Sequence, residues 1–299
     1  MFVFHPIDRI LAVMTHSELR EAEPFREQDY LRLAELIHVR SGIRMPPSKK
    51  TFLEGRLRRH IRRLGLATMS EYCKWLFQEG GLIQDETALL DAVTTNKTEF
   101  FREPYHFGFL SNVVLPHFQT SSGRQPLPLR IWSAGCSNGA EPYSLAMICE
   151  DFARTNSSFS FEILASDIST EVLRVGMRAI YPHSTIGPVS MELRKRYLLH
   201  DPGSDEVRIV PELRRRVIFQ HHNLMDEPYP VPQKMDVVFC RNLLIYFDRA
   251  MQRKVLSRLC RCLKPRGYLF LGHSEGSVAD LKLPLRRVGP TVFLREEAA

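Results

Sequence analysis

A carboxylate at the tip of a β-strand, set beyond a turn of small residues, can accept hydrogen bonds from ribose hydroxyls, and this chain offers one such arrangement. Residues 129–133 are a short apolar, β-prone run. Small residues including Gly135 and Gly139 follow, and Glu141-Pro142 then opens an apolar-periodic segment with Leu145, Ala146 and Ile148. The pattern predicts strand, tight turn and helix. Pro142 suits a first helical turn, where a missing N–H leaves nothing unpaired, and the glycines let backbone approach a ligand closely. A second predicted strand, residues 159–166, ends on Asp167. Together these residues form a candidate nucleoside site. Gly135 and Gly139 make G-x-x-x-G rather than G-x-G-x-x-G, and Asp167 lies beyond the ~20-residue spacing of dinucleotide folds, so an ordinary glycine turn fits as well. No G-x-x-x-x-G-K-[ST] occurs, which argues against a P-loop nucleotide hydrolase.

Other chemistries find less support. The six cysteines are scattered, and the C-x-C of Cys260 and Cys262 lacks a second pair or histidines at zinc spacing, so reduced, mostly buried thiols are expected. His221-His222 has no carboxylate or histidine at a helical offset, and no metal is expected. The net charge of +7 suits an acidic partner. No apolar run approaches the ~20 residues of a membrane span, and the N-terminal stretch is broken by His5, Pro6, Asp8 and Arg9, so a cytoplasmic protein is expected.

The elements that must position the candidate site alternate. Residues 1–24 read as an N-terminal arm, open to disorder, and residues 25–95 as an all-helical domain, with Tyr30, Leu33, Leu36 and Ile37 on one stripe and a stop at Ser41-Gly42. Within it, residues 49–64 place Leu53, Leu57, Ile61 and Leu64 on one helical face and fan Arg56, Arg58, Arg59, Arg62 and Arg63 opposite. A solvated face is the plain reading of such a run. Mutual repulsion with only Glu54 nearby favours docking onto an acidic partner, with Arg56, Arg59 and Arg63 as candidates. Residues 96–128 are a connector and linker, 119–128 being the most linker-like. Residues 129–299 alternate strand and helix, which implies a mostly parallel α/β sheet with right-handed crossovers, interrupted at about 183–216 by an irregular stretch with a predicted hairpin. Residues 268–271 and 287–294 are the last two predicted strands, after a helix ending at Lys264-Pro265-Arg266-Gly267.

Four motifs in this order, TTNxTxFFRE from Thr94, WSAGCSNGxEPYS from Trp132, SDIS from Ser166 and FCRNLLIYFD from Phe239, closely resemble the CheR family of S-adenosylmethionine-dependent methyltransferases, over roughly residues 25–294. Members esterify glutamates on chemotaxis receptors. The resemblance implies a class I, Rossmann-like methyltransferase sheet with a small N-terminal all-α domain and a small antiparallel β insertion. It implies S-adenosylmethionine as cofactor, with Asp167 on the ribose, Glu141 on the methionine amino group, Asn223 and Leu224 on the adenine, and Gly135, Arg241 and Asn242 lining the site. Asn96, Thr98 and Arg102 would reach over the cofactor, Arg102 near the reacting methyl. Turn chemistry is the other reading of Asn223 and Asn242.

A glutamate carboxylate is already ionised at neutral pH and a sulfonium methyl is already activated, so in-line alignment and exclusion of water suffice, with no general base. Arg102 and Tyr246 are the candidates for orienting the acceptor carboxylate, a local core role being the other reading of Tyr246. The expected partners are acidic cytoplasmic receptor helices, and a receptor's C-terminal tethering peptide at the β insertion is an optional one, as in some members. A monomer is expected. A nucleic-acid methyltransferase would share the charge and fold, but D/N-P-P-Y/F and Pro-Cys motifs are missing. A non-catalytic, cofactor-sensing adaptor is the third reading, disfavoured by the presence of Arg102 and Tyr246.

Overall fold

The computed structural model describes residues 25–121, 127–231, 233–276 and 282–297; the arm expected over 1–24 and residues 122–126 of the expected linker lie outside these. Two compact units result. Among the described residues, one takes in those up to Leu36 together with Met45–Val93, the other Ile37–Arg44 together with those from Thr94 onward. The sequence places all of 25–95 in the helical domain, whereas 37–44 cluster with the sheet.

The first unit is helical. It comprises the start of α1 (Glu27–Ser41), then α2 (Lys50–Arg63), α3 (Met69–Gln78) and α4 (Gly81–Val93). The Thr68 side chain caps α3 by accepting from the Glu71 N–H, and Glu71 accepts in return from the Ala67 N–H. The apolar stripe of α2 buries Leu53, Leu57 and Ile61. Leu64, expected on that stripe, is 38% exposed, because the helix ends at Arg63 and Leu64 is its C-cap. His60 is buried instead, its Nε2 2.8 Å from an Asp85 oxygen that also accepts from the Tyr72 hydroxyl at 2.7 Å. A buried polar group needs such partners to avoid an uncompensated desolvation cost of about 1–3 kcal/mol. Arg56, Arg58, Arg59, Arg62 and Arg63 are exposed.

In the second unit, α5 (Pro104–Phe109) runs through a wide turn (Leu110–Val114) into α6 (Leu115–Ser121), so the linker composition of 119–121 is helical. Then come β1 (Leu129–Ala134), α7 (Ala140–Thr155), β2 (Phe161–Asp167) and α8 (Thr170–Arg178). An insertion holds β3 (Ile180–Pro182), α9 (Met191–Tyr197), β4 (Leu198–His200) and β5 (Glu206–Ile209), which form a separate antiparallel sheet in the order β3-β5-β4. Its first strand begins at 180, ahead of the expected 183. The remaining elements are α10 (Pro211–Arg214), β6 (Val217–His221), β7 (Met235–Cys240), α11 (Arg249–Cys262), β8 (Leu263–Leu271), β9 (Leu285–Gly289) and β10 (Val292–Arg295).

The main sheet has the order β6-β2-β1-β7-β8-β10-β9. β6, β2, β1, β7 and β8 are parallel, and β10 and β9 are antiparallel. The sequence suggests one strand over 287–294; the chain instead folds there into a hairpin, turning at Pro290 and Thr291, whose φ is 52°. Residues 264–267, expected to end the preceding helix, lie inside β8, where the β7–β8 register shifts and Arg266 takes φ 62°. Ile131, Ile163 and Val237 are matched across the central strands and buried. Trp132 alternates with them, also fully buried, so both sheet faces are covered. The order progresses from β1 to β2 and β6 on one side and from β7 to β8 on the other. The strands β1 and β7 therefore flank the topological switch point, where a crevice opens at their C-terminal ends.

Candidate active site

That crevice is a cleft of about 950 Å³, its open mouth included, walled by the turns after β1, β2 and β7 and by residues 94–102. At the end of β1 the chain needs left-handed backbone at Gly135 (φ 79°), Ser137 (φ 50°) and Gly139 (φ 90°). A Cβ on Gly139 would stand 2.9 Å from the Tyr181 hydroxyl and 3.0 Å from Gly176 Cα, so this glycine serves close packing as well as φ. The N–H groups of Gly135 and Cys136 both donate to the Ser166 carbonyl, folding the turn back onto β2.

Asp167 ends β2, buried at the cleft wall, with the Ser137 N–H donating to Oδ2 at 2.8 Å and the Ser169 N–H to Oδ1 at 2.9 Å. Backbone bonds to both oxygens fix the plane of the carboxylate before any ligand arrives. A carboxylate can accept about four bonds, so one held this way suits a vicinal diol.

Across the cleft, β7 delivers Arg241, whose side chain is 2% exposed. Its Nη1 donates to Glu141 Oε2 at 2.9 Å, its Nη2 lies 3.0 Å from Glu103 Oε2, and Nη2 also donates to the Arg102 carbonyl. The guanidinium lies over the Phe107 ring at 5.8 Å. Glu141 is turned toward the cleft by α7, and its Oε1 accepts from the Ser133 hydroxyl at 2.7 Å. Burial alone would raise the Glu103 carboxyl, but Arg241 together with bonds from the Asn242 side chain and the His273 N–H holds it below the usual range. Behind it, fully buried His106 is pushed down to about 4 by burial and by Arg241. Neutral His106 therefore adds no second cation to the cluster.

Arg102 sits between Phe101 (φ 53°) and Glu103 (φ 57°), a strained pair of non-glycine residues in left-handed backbone. The Ser144 hydroxyl anchors this kink by accepting from the Phe101 N–H at 3.0 Å. Arg102 lines the cleft and donates to the Lys97 carbonyl at 2.9 Å. Asn96 and Thr98 line it too, the Asn96 carbonyl accepting from the Ser137 hydroxyl at 2.9 Å. Leu224, Ile168, Ile43 and Phe247 form an apolar end that suits a flat ring. Asn223 lines that end while its Oδ1 accepts from the Met225 N–H at 3.0 Å and its Nδ2 donates to the Arg40 carbonyl at 2.6 Å. Turn chemistry and cleft position thus coincide in one residue. Tyr246 and Asn242 complete the wall, Asn242 in left-handed backbone at φ 57°.

Gly135, Glu141, Asp167, Asn223, Leu224, Arg241 and Asn242 therefore meet Asn96, Thr98, Arg102 and Tyr246 at one cleft. Arg56, Arg59 and Arg63 belong to α2 of the helical unit and do not line it. Sequence reasoning missed Glu103, Ser137, Ser41 and Ile43, and it missed Glu275, buried beneath the turn after β7. Glu103 stands inside the quoted FFRE motif, and Glu275 inside Gly272-His273-Ser274-Glu275 directly after β8; a glutamate following a small-residue break at a strand end was the available signal.

Residues 96–289 match the family model for the CheR methyltransferase SAM-binding domain, and residues 28–94 that for the CheR methyltransferase all-alpha domain. The chain belongs to the CheR methyltransferase family. A chemotaxis protein methyltransferase of Salmonella typhimurium is 38% identical over 88% of this chain and 88% of its own length. One from Borreliella burgdorferi is 37% identical over 82% of this chain and 86% of its own, and one from Escherichia coli is 36% identical over 92% and 93%. The fold is accordingly that of a class I methyltransferase, and S-adenosylmethionine is the cofactor. The cleft fits it chemically: Asp167 and Glu141 offer carboxylates for hydroxyls and an ammonium group, and apolar side chains such as Leu224 and Ile168 suit a purine. Among the described residues no helix is long and apolar enough to cross a membrane.

Proposed function

We propose that the chain is a protein-glutamate O-methyltransferase acting in the cytoplasm on acidic helices of chemotaxis receptors. The observation that carries this reading is the convergence of Arg102 and Tyr246, from two separate segments, on the cleft that also holds Asp167 and Glu141. Relatives named for chemotaxis support the class of substrate.

Bound S-adenosylmethionine supplies a methyl group on a cationic sulfur. Asp167 orients the ribose, Glu141 receives the amino group, and Leu224 with Asn223 flanks the adenine. The Arg102 guanidinium and the Tyr246 hydroxyl draw the incoming γ-carboxylate into line with the methyl. The carboxylate arrives ionised, so no side chain has to remove a proton and orientation supplies the rate. Arg102 and Tyr246 are the catalytic residues in this scheme. Arg56, Arg59 and Arg63 on α2 attract the acidic receptor helix. The exposed strand β4, with Leu199 49% exposed at a sheet edge, offers backbone to an extended tethering peptide. The enzyme acts as a monomer.

The test is incubation with methyl-labelled S-adenosylmethionine and receptor-bearing membranes. Label on receptor that leaves as volatile methanol in mild alkali is expected. Alkali-stable label, or label on nucleic acid, would overturn the assignment. Excess duplex DNA should leave receptor methylation nearly unchanged, and a peptide copying an acidic receptor helix should inhibit it.

A further inference from the structure

Beneath the turn after β7 lies a carboxylate to which neither the cofactor nor the acceptor has been assigned. Glu275 is 4% exposed. Its Oε1 accepts from the N–H groups of Leu243 at 2.8 Å and Leu244 at 2.6 Å; its Oε2 accepts from those of Asn242 at 2.9 Å and Gly272 at 2.6 Å. Burial holds this carboxyl above the usual range, and the four backbone donors offset only part of that rise. Three of the four belong to consecutive residues of one turn. Convergent amides of this kind form an anion-binding nest, and here the anion is the protein's own side chain.

The gripped turn carries Asn242 in left-handed backbone, a conformation that asparagine tolerates better than other residues with a side chain. Asn242 and Leu243 both line the cleft, and the short helical turn that follows, Leu244–Tyr246, ends on Tyr246. Gly272 closes the device from below. A Cβ there would fall 2.6 Å from Asn242 Nδ2, 2.8 Å from the Asn242 nitrogen and 2.8 Å from Glu275 Oε2.

We propose that Glu275 is a positioning residue for methyl transfer: by accepting four backbone N–H bonds it locks the turn 242–244, keeps Asn242 on Glu103 at the cleft wall and holds Tyr246, on the helical turn that follows, toward the reacting centre. The inference rests on the cleft being the methyl-transfer site. Asp167, Asn223 and Leu224, which flank the ribose and adenine end, take no bond from Glu275. Loss of the grip should therefore separate turnover from cofactor affinity.

Glu275→Gln keeps the shape but turns an NH₂ toward two N–H donors. Turnover should fall on the order of 10- to 100-fold, as for about 1 Å of misplacement, while the dissociation constant for S-adenosylhomocysteine, by calorimetry, stays within about threefold, a span of roughly 0.7 kcal/mol. Hydrogen exchange should quicken at the amides of Asn242, Leu243 and Leu244 and stay unchanged at Ser137 and Ser169. Gly272→Ala crowds the same turn without altering charge and should reproduce both effects. The exchange measurement needs no methyl acceptor, so it stands whatever the substrate proves to be. Native turnover, unchanged exchange at 242–244, or a proportional loss of cofactor binding and folded protein in both variants would each overturn the assignment.

Discussion

Two groups of charge in this protein are built on opposite principles. Arg241 is almost fully buried, and Glu103, Glu141, the Arg102 carbonyl and the Phe107 ring face it, its Nε alone being without a partner among the described residues. The arginines of α2 stand in water, and among the described residues only Arg58 has an ion-pair partner, Glu54 at 3.4 Å. An enclosed cation with fixed partners sets geometry, since few rearrangements are open to it. A solvated row of cations sets attraction at a distance, limited by the ~10 Å screening length at 0.1 M salt. Geometry is what an in-line transfer needs, and attraction is what finding an acidic helix needs.

The most direct way to break the contrast is to remove the buried cation. Arg241→Met leaves Glu103 and Glu141 enclosed without a counter-charge and should cost about 3–5 kcal/mol of stability, read from urea midpoints. A native midpoint would mean that the cluster is already hydrated and sets no geometry. Asp167→Ala spares that cluster and should weaken S-adenosylmethionine binding by about 1.5–3 kcal/mol, the range for hydrogen bonds to a charged group. Calorimetry giving an unaltered constant in folded protein would remove Asp167 from the site.

A pH series sharpens the comparison next. His106 is held near 4 in the fold against an ordinary 6.5, so between these values the unfolded chain binds more protons and stability falls with falling pH. From pH 7 to pH 5 this single group should remove roughly 2 kcal/mol, with the loss complete below the folded value. His106→Gln should flatten that slope; a slope unchanged by the substitution would place the titration elsewhere, His222 being the next candidate because burial lowers it too. The smallest effect on stability belongs to the exposed row. Arg59→Glu with Arg63→Glu should stay within about 0.5 kcal/mol of the parent, yet raise the apparent KM for receptor, leave cofactor binding alone and blunt the slowing of the reaction by salt. Unchanged receptor kinetics would return these arginines to the role of a solvated face.

Where chemistry is carried by residue type and order, the sequence could be read. Asp167 at the tip of β2, the glycine turn before α7 and the motif residues Asn96, Arg102 and Asn242 all line one cleft. Where it is carried by three-dimensional enclosure, it could not. Nothing in the text of Gly272-His273-Ser274-Glu275 says that its carboxylate will meet the amides of 242–244, and nothing in His106 says that it will be sealed behind Arg241. Helical periodicity put Leu64 in the core because a period has no knowledge of its own last turn. The strand reading of 287–294 failed at Pro290 and Thr291, although Gly289-Pro290 is a turn signal set between the two β-prone runs.

The chain passes between its two units three times, at 36/37, 44/45 and 93/94, and the short middle visit supplies Ser41 and Ile43 to the candidate cleft. Gly42 is sealed into the same visit: with φ 75°, it would place a Cβ 2.9 Å from Met225 Sδ and 3.0 Å from Phe247. Recombination that exchanged everything before residue 94 for another helical module would exchange a piece of the cleft wall as well. Changes of substrate preference in such a lineage would therefore accumulate by substitution within an inherited pair of units more readily than by shuffling them.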